Sequence, residues 1–130
     1  MSPPPTLPRA GRILPALLAL AACAPPSQVI QVAPGPAPGR PAFTLPIGSG
    51  ALYGLAVIPC GRDVAVWQFG TGGGLLTRIP SPIVYGDLPP GFTLRAGPAP
   101  LTPGCYDVFA DGAAGRFTVQ PGGTVVPATR

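Results

Sequence analysis

Proline and glycine interrupt this chain so often that a packed helix has no room between Phe43 and Gln120. The 22 Pro and 19 Gly together make up about a third of the 130 residues. Between them lie short runs that are rich in β-branched and aromatic residues, which favour strands. Apolar residues nowhere in this region recur at the i, i+3, i+4, i+7 spacing of an amphipathic helix. The sequence therefore predicts an all-β domain of about six or seven strands.

Seven runs carry this strand pattern, and alternation along them predicts which side chains face the core. The predicted strands are 51–59, 63–69, 75–79, 82–86, 92–96, 105–110 and 116–120. The last two flank the sequence DGAAG, which predicts a hairpin with a longer loop. The expected core residues are Tyr106, Val108, Ala110, Phe117, Val119, Val64, Val66, Leu55 and Val57. Trp67 and Phe69 lie on the opposite face from Val64 and Val66, so either both faces of that strand are covered or the two aromatic residues form an exposed patch.

The first residues have the order of an export signal. Arg9 and Arg12 precede Ile13–Ala22, an apolar run that ends in small side chains, and charged, apolar and small segments in this order are typical of a secretory signal. The run is too short to cross a membrane, which takes about 20 helical residues. The alternative is a buried core helix, against which the flanking prolines argue.

The end of this run, Leu20-Ala21-Ala22-Cys23, resembles the lipobox of bacterial lipoproteins. The resemblance implies that the Cys23 thiol is diacylated, that a signal peptidase cleaves before Cys23, and that acyl chains hold the protein in the membrane. Ala24 follows the cysteine where an Asp would favour the inner membrane, so the family rule implies the outer membrane, facing the periplasm. The alternative is an ordinary cleavage site and a secreted protein without lipid.

Composition divides the chain into four predicted segments: a signal peptide (1–22), a Pro/Ala-rich tether (23–42), a small β-domain (43–121) and a flexible tail (122–130). The tether sequence is rich in proline, which favours extended polyproline II, so we expect a semi-rigid spacer between lipid and domain. A proline-rich docking segment for a partner is the alternative.

Two cysteines remain once Cys23 is assigned to lipid. In an oxidising envelope Cys60 and Cys105 are expected to form a disulfide, which would stabilise a small domain; two free thiols are the alternative. The order Cys60, Trp67, Cys105 resembles that of immunoglobulin domains, although Tyr106 follows the second cysteine instead of preceding it by two residues. The resemblance implies a small Ig-like or related β-sandwich.

Two stretches, SPIVYGDLPPGF (81–92) and PLTPGCYDVFADG (100–112), are similar to segments of uncharacterised small bacterial envelope proteins. This second resemblance agrees with an envelope location and implies no particular activity.

The chain offers few residues for catalysis. It contains no His and only four acidic residues, all Asp, which excludes Ser/His/Asp and Cys/His arrangements and leaves no four-ligand metal set for the two remaining cysteines. The sequence GTGGGLLTR (70–78) lacks the ending of a phosphate-binding loop and predicts a flexible loop. Asp111 precedes a glycine and is interpreted as a turn residue. We therefore expect no enzyme, no cofactor and no metal.

Charge does not indicate a nucleic-acid partner. Once the predicted signal peptide is removed with Arg9 and Arg12, six Arg and four Asp remain, so the positive and negative charges nearly balance. The sequence favours a membrane-anchored, non-catalytic β-domain that has a structural role or binds an envelope protein or glycan. The alternative is an accessory, inhibitor or ligand-binding domain that uses an exposed aromatic strip. The candidate ligand contacts of that strip are Trp67, Phe69 and Tyr85.

Overall fold

The computed structural model describes residues 28–46 and 51–128, and every regular element in these ranges is a β-strand. The strands are β1 (Gln28–Val29), β2 (Gln31–Ala33), β3 (Ala42–Thr44), β4 (Ala51–Leu52), β5 (Gly54–Pro59), β6 (Trp67–Thr71), β7 (Thr77–Arg78), β8 (Ile83–Val84), β9 (Phe92–Ala96), β10 (Gly104–Ala110), β11 (Ala113–Val119) and β12 (Val125–Ala128).

One large sheet organises the fold. Its strand order is β1-β11-β10-β5-β6-β9, and β12 also pairs with β11. All pairs in it are antiparallel except β1 with β11. We call the end that carries the turn after Ala110 the hairpin end, and the opposite end, where Cys60 follows β5 and Cys105 lies near the start of β10, the disulfide end.

Two smaller sheets, β2-β3-β8 and β4-β7, complete the fold, and the side chains of all three sheets share one core. Phe43 of β3 packs on Phe117 of β11 with ring centroids 5.7 Å apart. Leu52 of β4 and Ile83 of β8 are buried in the same cluster. This all-β, sandwich-like arrangement confirms the expected fold class, while the finer resemblance to immunoglobulin domains stays a prediction.

Most of the expected core residues are buried. Seven of the nine belong to the core: Leu55, Val57, Tyr106, Val108, Ala110, Phe117 and Val119. Val66 is partly buried and packs against this cluster. The prediction for Val64 is wrong, because β6 begins only at Trp67 and leaves Val64 in the preceding loop with 72% of its surface exposed.

The predicted tether is wrong over most of its length. From Gln28 onward the chain belongs to the folded domain: β1 pairs with β11, and β2 pairs with β3. Ile30 and Val32 are buried, because the alternation of their short run places both in the core. The β-domain therefore begins by Gln28, at least 15 residues before the boundary predicted at 43.

The hairpin loop and the tail also differ from the prediction. The turn between β10 and β11 consists of Asp111 and Gly112 alone, with φ of 43° and 85°, so the left-handed conformations of a tight hairpin replace the longer loop. The segment 125–128 is not a free tail but forms β12, in which Val125 is buried against the core.

The predictions for the signal peptide (1–22) and for Cys23 lie outside the described residues. In the part of the chain that is described, no helix has the length and hydropathy to cross a membrane.

Candidate functional site

The three aromatic residues proposed as ligand contacts lie inside the core. Trp67, Phe69 and Tyr85 expose 0%, 1% and 4% of their surfaces, so they form no exposed strip, and the alternative of ligand contact through these three residues is wrong. The face of β6 that carries Trp67 and Phe69 is the inner face of the large sheet, whereas Gln68 points outward.

These aromatic rings pack edge to face. The centroid of the Trp67 ring lies 5.0 Å from those of Phe69 and Tyr85, and Phe69 in turn lies 5.0 Å from Phe92, a geometry that aromatic pairs favour. The Tyr85 hydroxyl donates to the backbone oxygen of Ala99 at 2.6 Å. Burial raises the pKa of Tyr85 to about 12, with a further increase from nearby Tyr106. This cluster stabilises the domain and presents no surface to a ligand.

The outer face of the large sheet carries a groove that the sequence did not reveal. The groove has a volume of about 560 Å³ and runs along β5, β6, β10 and β11 toward the hairpin end. Its floor is low because small residues face outward: Ala114, Ala56, Gly54 and Gly70. Gly54 has no space for a side chain, since an added Cβ would lie 2.8 Å from the backbone oxygen of Phe69.

Aromatic side chains form one part of this outer-face groove. Phe109 of β10 lies between Ala114 and Ala56 in register, and 38% of its surface is exposed. Tyr53, between β4 and β5, is 52% exposed. Both cross-strand partners of Phe109 in register are alanines, so Phe109 is the largest side chain in this row, and part of its apolar surface is exposed.

Polar side chains complete the walls. Arg95 of β9 reaches across Gly70, where an added Cβ would lie 2.8 Å from its Nε, and its Nη2 donates to the backbone oxygen of Thr71 at 3.1 Å. Within the described residues no carboxylate lies at ion-pair distance from Arg95. Asp111 closes the hairpin end of the groove and accepts the backbone N–H of Tyr53 at 2.8 Å. The groove is therefore lined by a cation without a carboxylate at ion-pair distance among the described residues and by two exposed aromatic residues.

A second groove, near the disulfide end, is less suited to an anionic ligand. It has a similar volume of about 570 Å³ and includes Arg40 and Asp87. Arg40 Nη2 already donates to the Asp87 carboxylate at 2.6 Å, and its Nε donates to the backbone oxygen of Tyr85 at 3.2 Å. Its charge is therefore compensated within the fold.

Alternation could have indicated part of the outer-face groove. Once Tyr106, Val108 and Ala110 are assigned to the core, Phe109 must point to the other face. The approach of Arg95 to Gly70 has no such signal, because it depends on the pairing of β6 with β9 and on a register shift next to Gln68.

Cys60 and Cys105 form a disulfide, with Cα atoms 5.3 Å apart and a sequence separation of 45 residues. The backbone N–H of Cys60 also donates to the backbone oxygen of Cys105 at 3.0 Å. The predicted pairing is confirmed, and it fixes the disulfide end of β5 and β10.

Carboxylates and cysteines are dispersed over the fold. Among the residues described, no group of three or more His, Cys, Asp and Glu side chains could hold a metal ion. Asp107 lies on the outer face, away from the groove, where it accepts hydrogen bonds from Arg116 Nε at 2.8 Å and Nη2 at 3.2 Å. This hydrogen-bonded carboxylate raises the pKa of Arg116. The pair joins β10 to β11 and has a structural role.

Comparison with known proteins gives no relative from which a function could be transferred: no protein family, curated protein or solved structure matches this chain.

Proposed function

We propose that this chain is a lipid-anchored, non-catalytic binding protein of the bacterial cell envelope, and that its β-domain holds an acidic glycan in the outer-face groove. The lipobox-like sequence Leu20-Ala21-Ala22-Cys23 supports the anchor. Ala24 in the position after the cysteine favours the outer membrane, with the domain in the periplasm. Diacylation meets the requirement of two chains for stable membrane attachment.

The observation that supports the ligand class is that Arg95 lines the same groove as the exposed residues Phe109 and Tyr53. A guanidinium without a carboxylate partner can accept a ligand carboxylate through charge-assisted hydrogen bonds. Exposed aromatic rings offer flat apolar surfaces on which the C–H faces of a sugar can pack. A concave site with a few convergent polar groups is the usual form of a small-ligand site. Together these features favour a carboxylated saccharide over a neutral or cationic one.

The groove is better suited to binding than to hydrolysis. Canonical glycoside hydrolysis uses two carboxyl groups on either side of the scissile bond. Among the described residues that line the groove there is one carboxyl group, that of Asp111, whose Oδ2 already accepts the Tyr53 N–H.

A structural role is the second candidate. It is favoured by the burial of Trp67, because the largest aromatic residue is used for packing. A scaffold would leave the outer-face groove without a specific ligand, which the binding experiment below distinguishes.

The anchor is tested by metabolic labelling with radioactive palmitate. Cys23→Ala should abolish incorporation, while the double variant Cys60→Ala/Cys105→Ala should keep it, because only the first removes the acylated thiol. Unchanged labelling of the Cys23→Ala variant would contradict lipidation at this residue.

The ligand class is tested by calorimetric titration of the purified lipoprotein with an oligosaccharide of uronic acids and with its carboxyl-reduced, neutral form. The acidic form should bind more tightly. Arg95→Gln should weaken its binding about tenfold or more, the scale of a lost charge-assisted hydrogen bond. Arg62→Gln, which alters an exposed arginine at the disulfide end, is the matched control and should bind normally. Equal binding of both saccharides, or normal binding by Arg95→Gln, would overturn the assignment.

A further inference from the structure

The loop between β6 and β7 exposes two leucines that the fold leaves uncovered. We call residues 72–76, Gly72-Gly73-Gly74-Leu75-Leu76, the glycine loop. Leu75 and Leu76 expose 72% and 52% of their surfaces. The exposed Arg78 follows in β7. Exposed leucines with an arginine two residues further along the chain are side chains of the kind that enter the boundary between lipid headgroups and acyl chains.

The glycine loop lies at the hairpin end of the large sheet. Gly74 lines the outer-face groove together with Asp111 and Gly112 of the hairpin turn. At the base of the loop, the Thr71 N–H donates to the backbone oxygen of Tyr53 at 2.9 Å, and the Tyr53 N–H in turn donates to Asp111. The base of the glycine loop is thereby held at the same end of the sheet as the turn between β10 and β11.

The chain also enters the domain at this end. Gln28 pairs with Ala113, the first residue after the hairpin turn. Five peptide units separate Cys23 from Gln28, and an extended chain spans at most about 3.6 Å per residue, so the two Cα atoms are no more than about 18 Å apart. The opposite end lies farther away by the length of β10, whose seven residues extend about 20 Å.

We propose that the hairpin end rests on the lipid bilayer and that Leu75 and Leu76 of the glycine loop insert into its interface beside the acylated Cys23. The inference deepens the proposed function, since it rests on the anchor at Cys23. The short connection to Cys23 keeps the hairpin end at the membrane surface. The exposed leucines at this end would then contact the lipid headgroup region. Arg78 adds an attraction to anionic lipid.

This orientation also fixes the outer-face groove relative to the membrane. The groove runs from the middle of the large sheet toward Asp111 and Gly112, so one of its ends opens close to the bilayer. A ligand in the groove would accordingly be held within reach of the membrane surface.

The test uses the mature lipoprotein, purified with its acyl chains and reconstituted in vesicles of phosphatidylethanolamine and phosphatidylglycerol. Leu75→Cys and Val64→Cys are labelled in turn with an environment-sensitive fluorophore; Cys60 and Cys105 are joined and Cys23 carries lipid, so the new thiol is the reactive one. Val64 is the matched control, because it is also 72% exposed but lies in the loop before β6 at the disulfide end.

The expected result is a blue-shifted emission at position 75, quenched severalfold more by spin-labelled lipid than the emission at position 64. Equal quenching at the two positions in vesicle-bound protein would overturn the loop insertion while leaving the anchor intact. A blue shift of the fluorophore at position 75 without vesicles, increasing with protein concentration, would show that the leucines contact a second copy of the chain. That result would also overturn the loop insertion. A chain that carries no acyl groups and does not float with vesicles would overturn the anchor and the inference together.

Discussion

Ile30 lies directly against Gly115. The Ile30 N–H donates to the backbone oxygen of Ala114 at 2.8 Å, and a Cβ on Gly115 would lie 2.6 Å from the Ile30 backbone oxygen. The absence of a side chain at position 115 therefore lets the segment around Ile30 pack on the large sheet. This contact makes residues near the N-terminus part of the core and leaves only a short connection to Cys23.

Gly115→Ala should destabilise the domain by about 1–3 kcal/mol, because the added methyl group meets backbone that cannot move without a shift of β1. The measurement is the free energy of unfolding from urea denaturation with the disulfide intact. Gly72→Ala is the control: an added Cβ there meets only Thr93 Oγ1 at 3.6 Å, so this variant should be neutral or slightly stabilised. Equal stabilities of the two variants would contradict the close packing at Gly115.

The double variant Cys60→Ala/Cys105→Ala should lose up to about 4 kcal/mol of unfolding free energy, the chain-entropy value for a loop of this length. For a small domain this is a large share of the total stability. Urea midpoints of the variant and of the wild type, with and without dithiothreitol, measure the effect. The reductant should lower the wild-type midpoint and leave that of the variant unchanged. Thiol titration of the unreduced wild type should find no free Cys60 or Cys105.

The fluorescence of Trp67 should show that its ring is shielded from water. Trp67 is the one tryptophan of the chain and is fully buried, so its emission should be blue-shifted and acrylamide should quench it only weakly until the domain unfolds. The Stern–Volmer slope in buffer and in concentrated urea measures this difference. Strong quenching in buffer would contradict the packing of Trp67 between Phe69 and Tyr85.

Stability should decrease at high pH through Tyr85. Its pKa is raised from 10.0 to about 12 in the folded domain by burial first and by Tyr106 second, so the unfolded chain loses this proton at lower pH than the folded one. The contribution is complete below pH 10 and is lost as the pH rises from about 10 toward 12.

Urea midpoints at a series of pH values, with the disulfide intact, measure this dependence. Tyr85→Phe should flatten the decrease and cost about 1 kcal/mol at neutral pH through the lost hydrogen bond to Ala99. Tyr53→Phe, at an exposed position, should keep the wild-type curve. A Tyr85→Phe variant with the wild-type pH dependence would show that another group is responsible.

Local pattern was sufficient for much of the fold. Each predicted run contains or overlaps a strand, and 92–96 coincides with β9. Alternation identified the buried faces of β10 and β11, because a strand side chain has only two directions. Alternation failed for Val64 because β6 begins later than the β-branched residues suggested. A residue outside a paired strand is not directed to either face of the sheet.

The N-terminal and C-terminal strands were missed for a different reason. Proline-rich composition around Ile30 and Val32 is typical of a spacer, and the pairs that hold these residues in place join the N-terminal segment to β11 and β3. β12 is similar, since Val125 is ordered by its pairing with Val119. The local sequence of such a short strand has little preference for the extended conformation, so pairing with its partner strand decides its structure.

The sequence by itself determined the all-β class, the expectation of a disulfide, the lack of catalytic histidine and the motif that proposes a lipid anchor, since each depends on residue types or on neighbours along the chain. Only the tertiary structure decided that Trp67, Phe69 and Tyr85 are core, that Arg95 lies across Gly70 in a groove that Phe109 and Tyr53 also line, and that the glycine loop shares an end of the sheet with Gln28. Those relationships depend on strand order and register, which bring residues far apart in sequence into contact through pairings that local composition does not specify.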